Sequence, residues 1–465
     1  MPSFQNKLQY LILFPIMLTM ASCASTKTYQ YQYVEANEQL AKRDFAAASL
    51  IIEGYRDEAY KEKDRVLYNL DVGMLYHYAG EYEKSNAALS EAERGIEELY
   101  TKSISKMLTS GILNDNALDY GGEDYEDIYL NVFKGLNYIA LGDPESALVE
   151  IRRIHIKLNI LEDKYRKLIE EYNQSDEAEG EITPIETRFY NDALARYLGL
   201  LLYRYENSLD SARIERDNIE QAFKNQKQLY DFPLNELPEL TMDRDMAHLS
   251  VIAFSGMAPR KLAETFYLTT LPGVVMITSA SQSEEYVKSN VGFNFLSMPG
   301  IDGGFHFKFE YPRMDLMGSR ANRIVLVLDG IPVKEIPLFE KMESISKEIF
   351  RIKQPLVIGK SILRTVTKGI LKESAKNQMN EAGPMAGLLM GIALDVAVDA
   401  TENADLRTSQ YFPAYAHTLD IKIPAGEHTV AVEYYHDSTL LFRDNRGVMD
   451  LQAEELNLVE SFVLE

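Results

Sequence analysis

The feature that most constrains this chain is a spacing of small and aromatic residues that returns several times in one long stretch. From about Val34 to Tyr230 apolar residues fall three and four positions apart and prolines are few, the pattern of amphipathic helices. In "LYNLDVGMLYHYAGEYEKSNAALSEA" the order is Gly73, Tyr76, Gly80, Tyr82, Ser85, Leu89, Ala92. The phase recurs in "VFKGLNYIALGDPESALVEI" through Gly135, Tyr138, Gly142, Ala147 and Ile151, and more weakly in "ANEQLAKRDFAAASLII" through Ala36, Arg43, Phe45 and Ala48. "ARYLGLLLYRYENSLDSARI" is a fourth, degenerate copy. A small residue on one helix opposite a small residue on the next, Gly73 with Ser85 and Gly135 with Ala147, lets two backbones approach, and a glycine between them supplies a left-handed turn. A stack of strands cannot carry this pattern.

Units of this kind resemble tetratricopeptide repeats, which are about 34 residues long. The copies are unevenly spaced, so insertions are expected at Thr101 to Asp119 and in a long charged helix around Ile154 to Tyr172; "NQSDEAEGE" after it reads as a surface loop. The pattern changes at "DFPLNELPEL" (231–240), a proline-punctuated linker. Strand-like runs follow: "GFHFKFEYP", "RIVLVLDGIPVKEIPL", "LDIKIPAGEHTVAVEYY", "STLLFRD" and "LNLVESFVLE". Phe305, Phe307 and Phe309 alternate as on a half-exposed strand, and Pro424 to Gly426 is expected to turn a hairpin. A helical insertion runs from about Met342 to Asn403. The expected fold is multidomain, with all-α tetratricopeptide-like repeats over 35–230, a linker at 231–240, and an α+β domain of mainly antiparallel strands over 241–465. Inside the insertion, Gly383, Gly387 and Gly391 recur every fourth residue, a spacing also used by membrane helices. The apolar run there is only about 14 residues, below the ~20 that span a bilayer, and it carries Asp395 and Asp399, so a buried helix is favoured.

The N-terminus has Lys7, an apolar run from Leu8 to Met20, and Ala21 and Ser22 before Cys23, the only cysteine. The run is too short to span and Pro15 interrupts it, so 1–22 reads as a cleaved signal peptide. "LTMASCAS" resembles the lipobox of bacterial lipoproteins, with Met20 where Leu is usual. This resemblance implies lipid on Cys23, a polar tether over 23–34 and, with no Asp after the cysteine, sorting to the outer membrane facing the periplasm. One cysteine also excludes an intrachain disulfide and any all-cysteine metal site.

At 465 residues the chain exceeds the size at which one core stops growing. Asp and Glu number 71 against 48 Lys and Arg, a formal net charge of -23, which opposes condensation on phosphate backbones. Nucleic acid is therefore excluded as a partner class.

Three stretches, "YGGEDYEDIYLNVFKGLNYIALGDPESALVEIRR", "FSGMAPRKLAETF" and "ADLRTSQYFPAYAHTLDIKIPAGEHTV", resemble in order the signature segments of a family of bacterial lipoproteins with a tetratricopeptide-like N-terminal half and a β-rich C-terminal part. The resemblance implies an envelope role, tied to cell-wall or outer-membrane assembly. It supplies no catalytic residue.

"YGGEDYEDIY" (120–129) has to be weighed as chemistry. Asp115 to Glu126 has the length of a calcium loop, but Ala117 stands at its third position, Tyr120 where the sharp turn needs glycine, and Gly121 comes one residue late. The better reading is an acidic first turn, with Glu123, Asp124, Glu126 and Asp127 at the positive end of a helix dipole. The remaining alternative is that Tyr125 and Glu126 pack or pair with Arg152 and Arg153 on the following helix. Arg260 and Lys261, in "GMAPRK", form a basic candidate loop. The histidines give no HExxH; His428 reads as a hairpin residue and His155 as part of the charged helix. GxSxG, Walker A and dinucleotide fingerprints are absent from the sequence. No catalytic residue, metal or cofactor is expected. The favoured function is a noncatalytic envelope adaptor whose repeats leave a concave face for a protein partner, with Tyr76, Tyr138, Tyr125, Glu126, Arg152, Arg153, Arg260 and Lys261 as candidate contacts. The alternative is a ligand-binding or hydrolytic lipoprotein using its C-terminal domain on glycan or peptide.

Overall fold

The computed structural model describes residues 31–109, 118–174, 184–279, 295–298, 301–355 with 358, 359, 362 and 366, and 404–465. Cys23, residues 1–22 and the glycines at 383, 387 and 391 lie outside the described residues, as do Asp115, Ala117, Asp395 and Asp399.

Among the described residues the N-terminal half holds four helical hairpins: α1 (Tyr31–Ala41) with α2 (Phe45–Gly54), α3 (Arg65–Tyr78) with α4 (Tyr82–Thr109), α5 (Asp124–Ala140) with α6 (Pro144–Gln174), and α7 (Ala193–Tyr205) with α8 (Leu209–Asn225). Each turns through one left-handed residue: Arg43 (φ 61°), Gly80 (77°), Gly142 (75°) and Asn207 (57°). The amide after it bonds back to Gln39, Tyr76, Tyr138 and Tyr203 respectively, at 2.8–2.9 Å. Five residues on, Ala48, Ser85, Ala147 and Ala212 are all buried. Four hairpins thus share one phase, although glycine occupies the strained position in only two. The small-residue contacts are as the spacing predicts: Ser85 Oγ donates to the Gly73 carbonyl at 2.8 Å, and a Cβ on Gly73 would lie 2.8 Å from Leu89 Cδ2. Asp44 and Asp143 cap the following helices, accepting the Ala47 and Ser146 amides at 2.9 and 3.0 Å.

Two boundaries move. Helix α1 begins at Tyr31, so the last residues of the expected tether are helical. The charged helix around Ile154 to Tyr172 is no insertion but the continuation of α6.

The C-terminal half is α+β and mainly antiparallel. Strands β1 (Met246–Ser255), β8 (Leu338–Lys341), β9 (Tyr415–Pro424) and β12 (Asn457–Val463) form one sheet in the order β12-β1-β9-β8, with β1 and β12 parallel. Strands β6 (Arg323–Leu328), β7 (Ile331–Glu335), β10 (Gly426–His436) and β11 (Thr439–Leu451) form a second in the order β11-β10-β6-β7. These two sheets share a core of Leu249, Val251, Leu326, Leu419, Val430, Val432 and Val459. Pro424 to Gly426 is therefore not a hairpin turn: β9 pairs with β1 and β10 with β6 and β11, so the turn carries the chain from one sheet to the other. A third sheet, β4-β3-β2-β5, comprises β2 (Arg260–Leu271), β3 (Val274–Ser279), β4 (Phe295–Ser297) and β5 (His306–Asp315). A helix over 342–355, the described start of the expected insertion, joins the same core as this sheet, with Phe350 6.2 Å from Tyr311.

Alternation along β1 positions everything else. Ala247, Leu249, Val251 and Ala253 face the sandwich core, while Ile252 and Phe254 belong to the cluster that holds the helices. Phe254 meets Phe133 of α5 at 5.3 Å. The helical half is thereby sealed onto the sheet by one continuous apolar core. The 231–240 segment is packed as well, with Leu237 buried and Phe232 edge-on to Phe223 at 5.5 Å.

Candidate functional site

In the second, third and fourth hairpins the first helix, α3, α5 or α7, is buried along most of its length, and the second helix, α4, α6 or α8, carries the solvent face. Among the described residues the inner face of α3 and α5 is covered. The chain's own 404–412 stretch, "ADLRTSQYF", lies across α3 and α5 and is held largely through its backbone. The Ser409 amide donates to Glu126 Oε1 at 2.6 Å, the Gln410 amide to Asp71 Oδ1 at 3.4 Å, and the Tyr411 carbonyl accepts from Tyr78 at 2.8 Å. Arg407 is clamped by Asp64 at 2.8 Å and Asp405 at 2.7 Å. Phe412 packs on Phe133 and Tyr125 at 5.8 and 6.4 Å.

Glu126 is the hub. It is fully buried in the first turn of α5, where its Oε2 accepts the Glu123 amide and the Tyr120 hydroxyl, both at 2.7 Å. Its Oε1 takes Ser409 and also Thr408 at 3.1 Å, and Thr408 in turn receives the Tyr125 hydroxyl at 2.7 Å. Burial pushes the Glu126 carboxyl up, the Glu123 charge adds to this, and the two backbone amides oppose it. Asp71 is pushed up to about 7 by burial, against the pull of the Tyr33 and Tyr60 hydroxyls at 2.7 and 2.9 Å.

The acidic stretch that opens α5 is thus a first turn, as its position at the helix start predicts, and each carboxylate has its own partner. Glu123 pairs with Lys261 and Lys353, Asp124 with Lys164 and Tyr165, and Asp127 with Lys157 at 2.7 Å. Among the described residues no group of three or more His, Cys, Asp or Glu side chains is placed to hold a metal.

The candidate contacts separate accordingly. Tyr125, Glu126 and Lys261 are buried, and Lys261 also donates to the Arg407 carbonyl at 2.8 Å. Tyr125 and Glu126 do not pair with Arg152 and Arg153, because they point inward from α5 while the two arginines lie on the outer face of α6. Arg152 donates to the Tyr203 hydroxyl at 3.1 and 3.0 Å; Arg153 reaches Glu93 at 2.9 Å. Arg260 is exposed and opens β2, so in "GMAPRK" only Arg260 and Lys261 are strand and the preceding residues are loop. Tyr76 and Tyr138 are half-buried at equivalent places, Tyr76 bonded to Glu53 with Lys84 5.5 Å over its ring. His428 lies in β10 beside Asp329 at 2.8 Å, and His155 lies in α6, held down to about 3 by burial.

One polar cluster was invisible in sequence. Ser250, His248, Asp420 and Arg204 come from β1, β9 and α7, and only the polar positions alternating through "HLS" in β1 hint at it. Ser250 donates to Asp420 Oδ2 at 2.6 Å and His248 Nδ1 sits 3.3 Å from Oδ1, while Arg204 closes on the same carboxylate at 2.8 Å. A serine nucleophile needs its hydroxyl on the imidazole. Here it is on the carboxylate, so the cluster anchors α7 to the sheet rather than activating a nucleophile.

No family model matches the chain, and no curated protein or solved structure matches it either. Among the described residues no helix is long and apolar enough to cross a membrane.

The outer face carries exposed apolar groups. On α6, Val149 (47% exposed), Ile156 (61%) and Ile160 (55%) form an apolar line beside Arg152.

Proposed function

We propose that this protein is a noncatalytic adaptor of the bacterial envelope: a tetratricopeptide-like helical array, held at the outer membrane by lipid on Cys23 and facing the periplasm, that binds an envelope protein. The four turns in one phase, each with a small buried residue five positions later, support the tetratricopeptide-like reading. The observation that carries the binding mode is the filling of the inner face by residues 404–412. A helical array normally offers that concavity to an extended peptide. With the chain's own backbone seated there, a partner is left the second helices, where the line of Val149, Ile156 and Ile160 with Arg152 gives an apolar strip edged by a cation in an acidic protein.

The test is capture of the lipidated protein from cross-linked envelopes, comparing wild type with a Val149→Ser, Ile156→Ser, Ile160→Ser triple variant. A discrete partner recovered with wild type and lost with the variant is the expected result. Recovery of the same partner by both, or of glycan alone, rejects this surface. Cys23→Ser is expected to move the protein from the membrane to the soluble fraction; unchanged membrane association rejects the lipid anchor.

A further inference from the structure

His77 lies on α3, is buried, and has both ring nitrogens in short hydrogen bonds: Nδ1 is 2.6 Å from Asn137 Oδ1 on α5, and Nε2 is 2.7 Å from Glu460 Oε1 on β12. The orientation of Asn137 follows from its other contacts. Its Nδ2 meets Ser85 Oγ at 2.8 Å and Asn86 Oδ1 at 2.9 Å. Ser85 has one hydroxyl proton, already directed at the Gly73 carbonyl, so its oxygen accepts from Asn137 and the atom facing it is the NH2. The amide oxygen then faces His77. A neutral imidazole has one donor and one acceptor, whereas here two acceptors face the two nitrogens.

We infer that His77 is held as an imidazolium and serves as a pH-sensitive latch that fastens the second hairpin and α5 to the C-terminal strand β12. Glu460 on β12 is the one charged group bonded to it; Tyr78 of α3, Tyr82 of α4 and Phe133 of α5 present rings at 5.3, 6.0 and 5.0 Å. Tyr82 also senses Arg446 of β11, whose charge opposes that of Glu460 there. Burial works against the charged ring, but Glu460 and the bonds to Glu460 and Asn137 together leave the group above its ordinary value. The sign follows. The latch is fully closed below the unfolded histidine value near 6.5 and is lost as pH rises through the higher folded value. Loss of the proton removes the charge-assisted bond that joins the two halves at this point.

The experiment is imidazole nitrogen NMR on the full chain across pH 5 to 9, with backbone hydrogen exchange in α3 and β12 over the same range. The His77 signals, identified by their absence in His77→Gln, should show both nitrogens protonated at pH 6.5. Exchange in α3 and β12 should rise above the titration midpoint. Glu460→Gln, on a partly exposed strand position, keeps the test open should His77→Gln fail to fold. It should weaken proton binding at His77 about tenfold, moving the midpoint down by roughly one pH unit. A singly protonated ring at pH 6, or a midpoint that Glu460→Gln leaves in place, overturns the inference.

Discussion

Glu126→Ala tests whether the 404–412 stretch is fastened by the hub described above. The side chain accepts four donors, two of them backbone amides, Glu123 and Ser409, that cannot turn elsewhere. A buried donor left without an acceptor costs ~1–3 kcal/mol, so the two amides together cost roughly 2–6 kcal/mol. The Tyr120 and Thr408 hydroxyls can rotate and contribute less. Part of the loss is offset, because burial and the neighbouring Glu123 disfavour the Glu126 charge in the wild type. The expected net destabilisation is about 3 kcal/mol, and Glu126→Gln, which keeps one acceptor oxygen, should lose about half of that. Urea unfolding followed by circular dichroism gives the magnitude. Hydrogen exchange gives the location, since the Ser409 and Gln410 amides should lose protection first. A Glu126→Ala protein within 1 kcal/mol of wild type, or one whose 404–412 amides stay protected, would refute the reasoning.

Other expectations follow from the same contacts. Asp71, near 3.8 unfolded and about 7 folded, contributes stability that is full below pH 3.8 and lost as pH rises through 7; the loss is about 3 kcal/mol between pH 5 and 8. Asp71→Asn should flatten that part of the stability profile, and an unchanged slope would count against the shift. Asp420→Asn should cost ~3–5 kcal/mol by leaving the buried Arg204 uncompensated, whereas Arg204→Met with Asp420→Asn should recover part of it; a simple sum of the two single effects would deny their coupling. Gly80→Ala should destabilise by about 1 kcal/mol through its left-handed backbone, while Asn207→Gly should be neutral or stabilising by a few tenths; matching losses at both would break the equivalence of the turns.

The hairpin phase was legible because short-range sterics write it into the chain: a left-handed turn, then a small residue five positions on. Gly80 and Gly142 declare the turn outright, while Arg43 and Asn207 do so only by alignment. The acidic start of α5 was legible for a local reason too, the preference of anions for a helix N-terminus. What escaped was non-local. Strand β1 is buried on both faces, so it lacks the alternation that marks a half-exposed strand, and it went unread. The alternation of β9 and β10 is the same whether their turn folds one sheet or links two, so Pro424 to Gly426 looked like a hairpin. Tyr125 and Glu126 were singled out as candidate contacts for a partner, but within the chain they bond to Thr408 and Ser409, each 283 positions away.

That last contact changes how binding by this protein has to be sought. With residues 404–412 seated on the inner face, the residues to change divide into two sets. Changes at Tyr125, Glu126 or Lys261 act on the seam between the halves, so a loss of partner binding there would be inseparable from a loss of structure. Changes at Val149, Ile156, Ile160 or Arg152 remove exposed groups from α6, where substitutions away from a buried network shift stability by about 0.5 kcal/mol or less. Binding lost at the outer set with unfolding unchanged therefore isolates recognition. Binding lost only at the inner set, in step with unfolding, would mean that the helical face acts through the C-terminal half it holds.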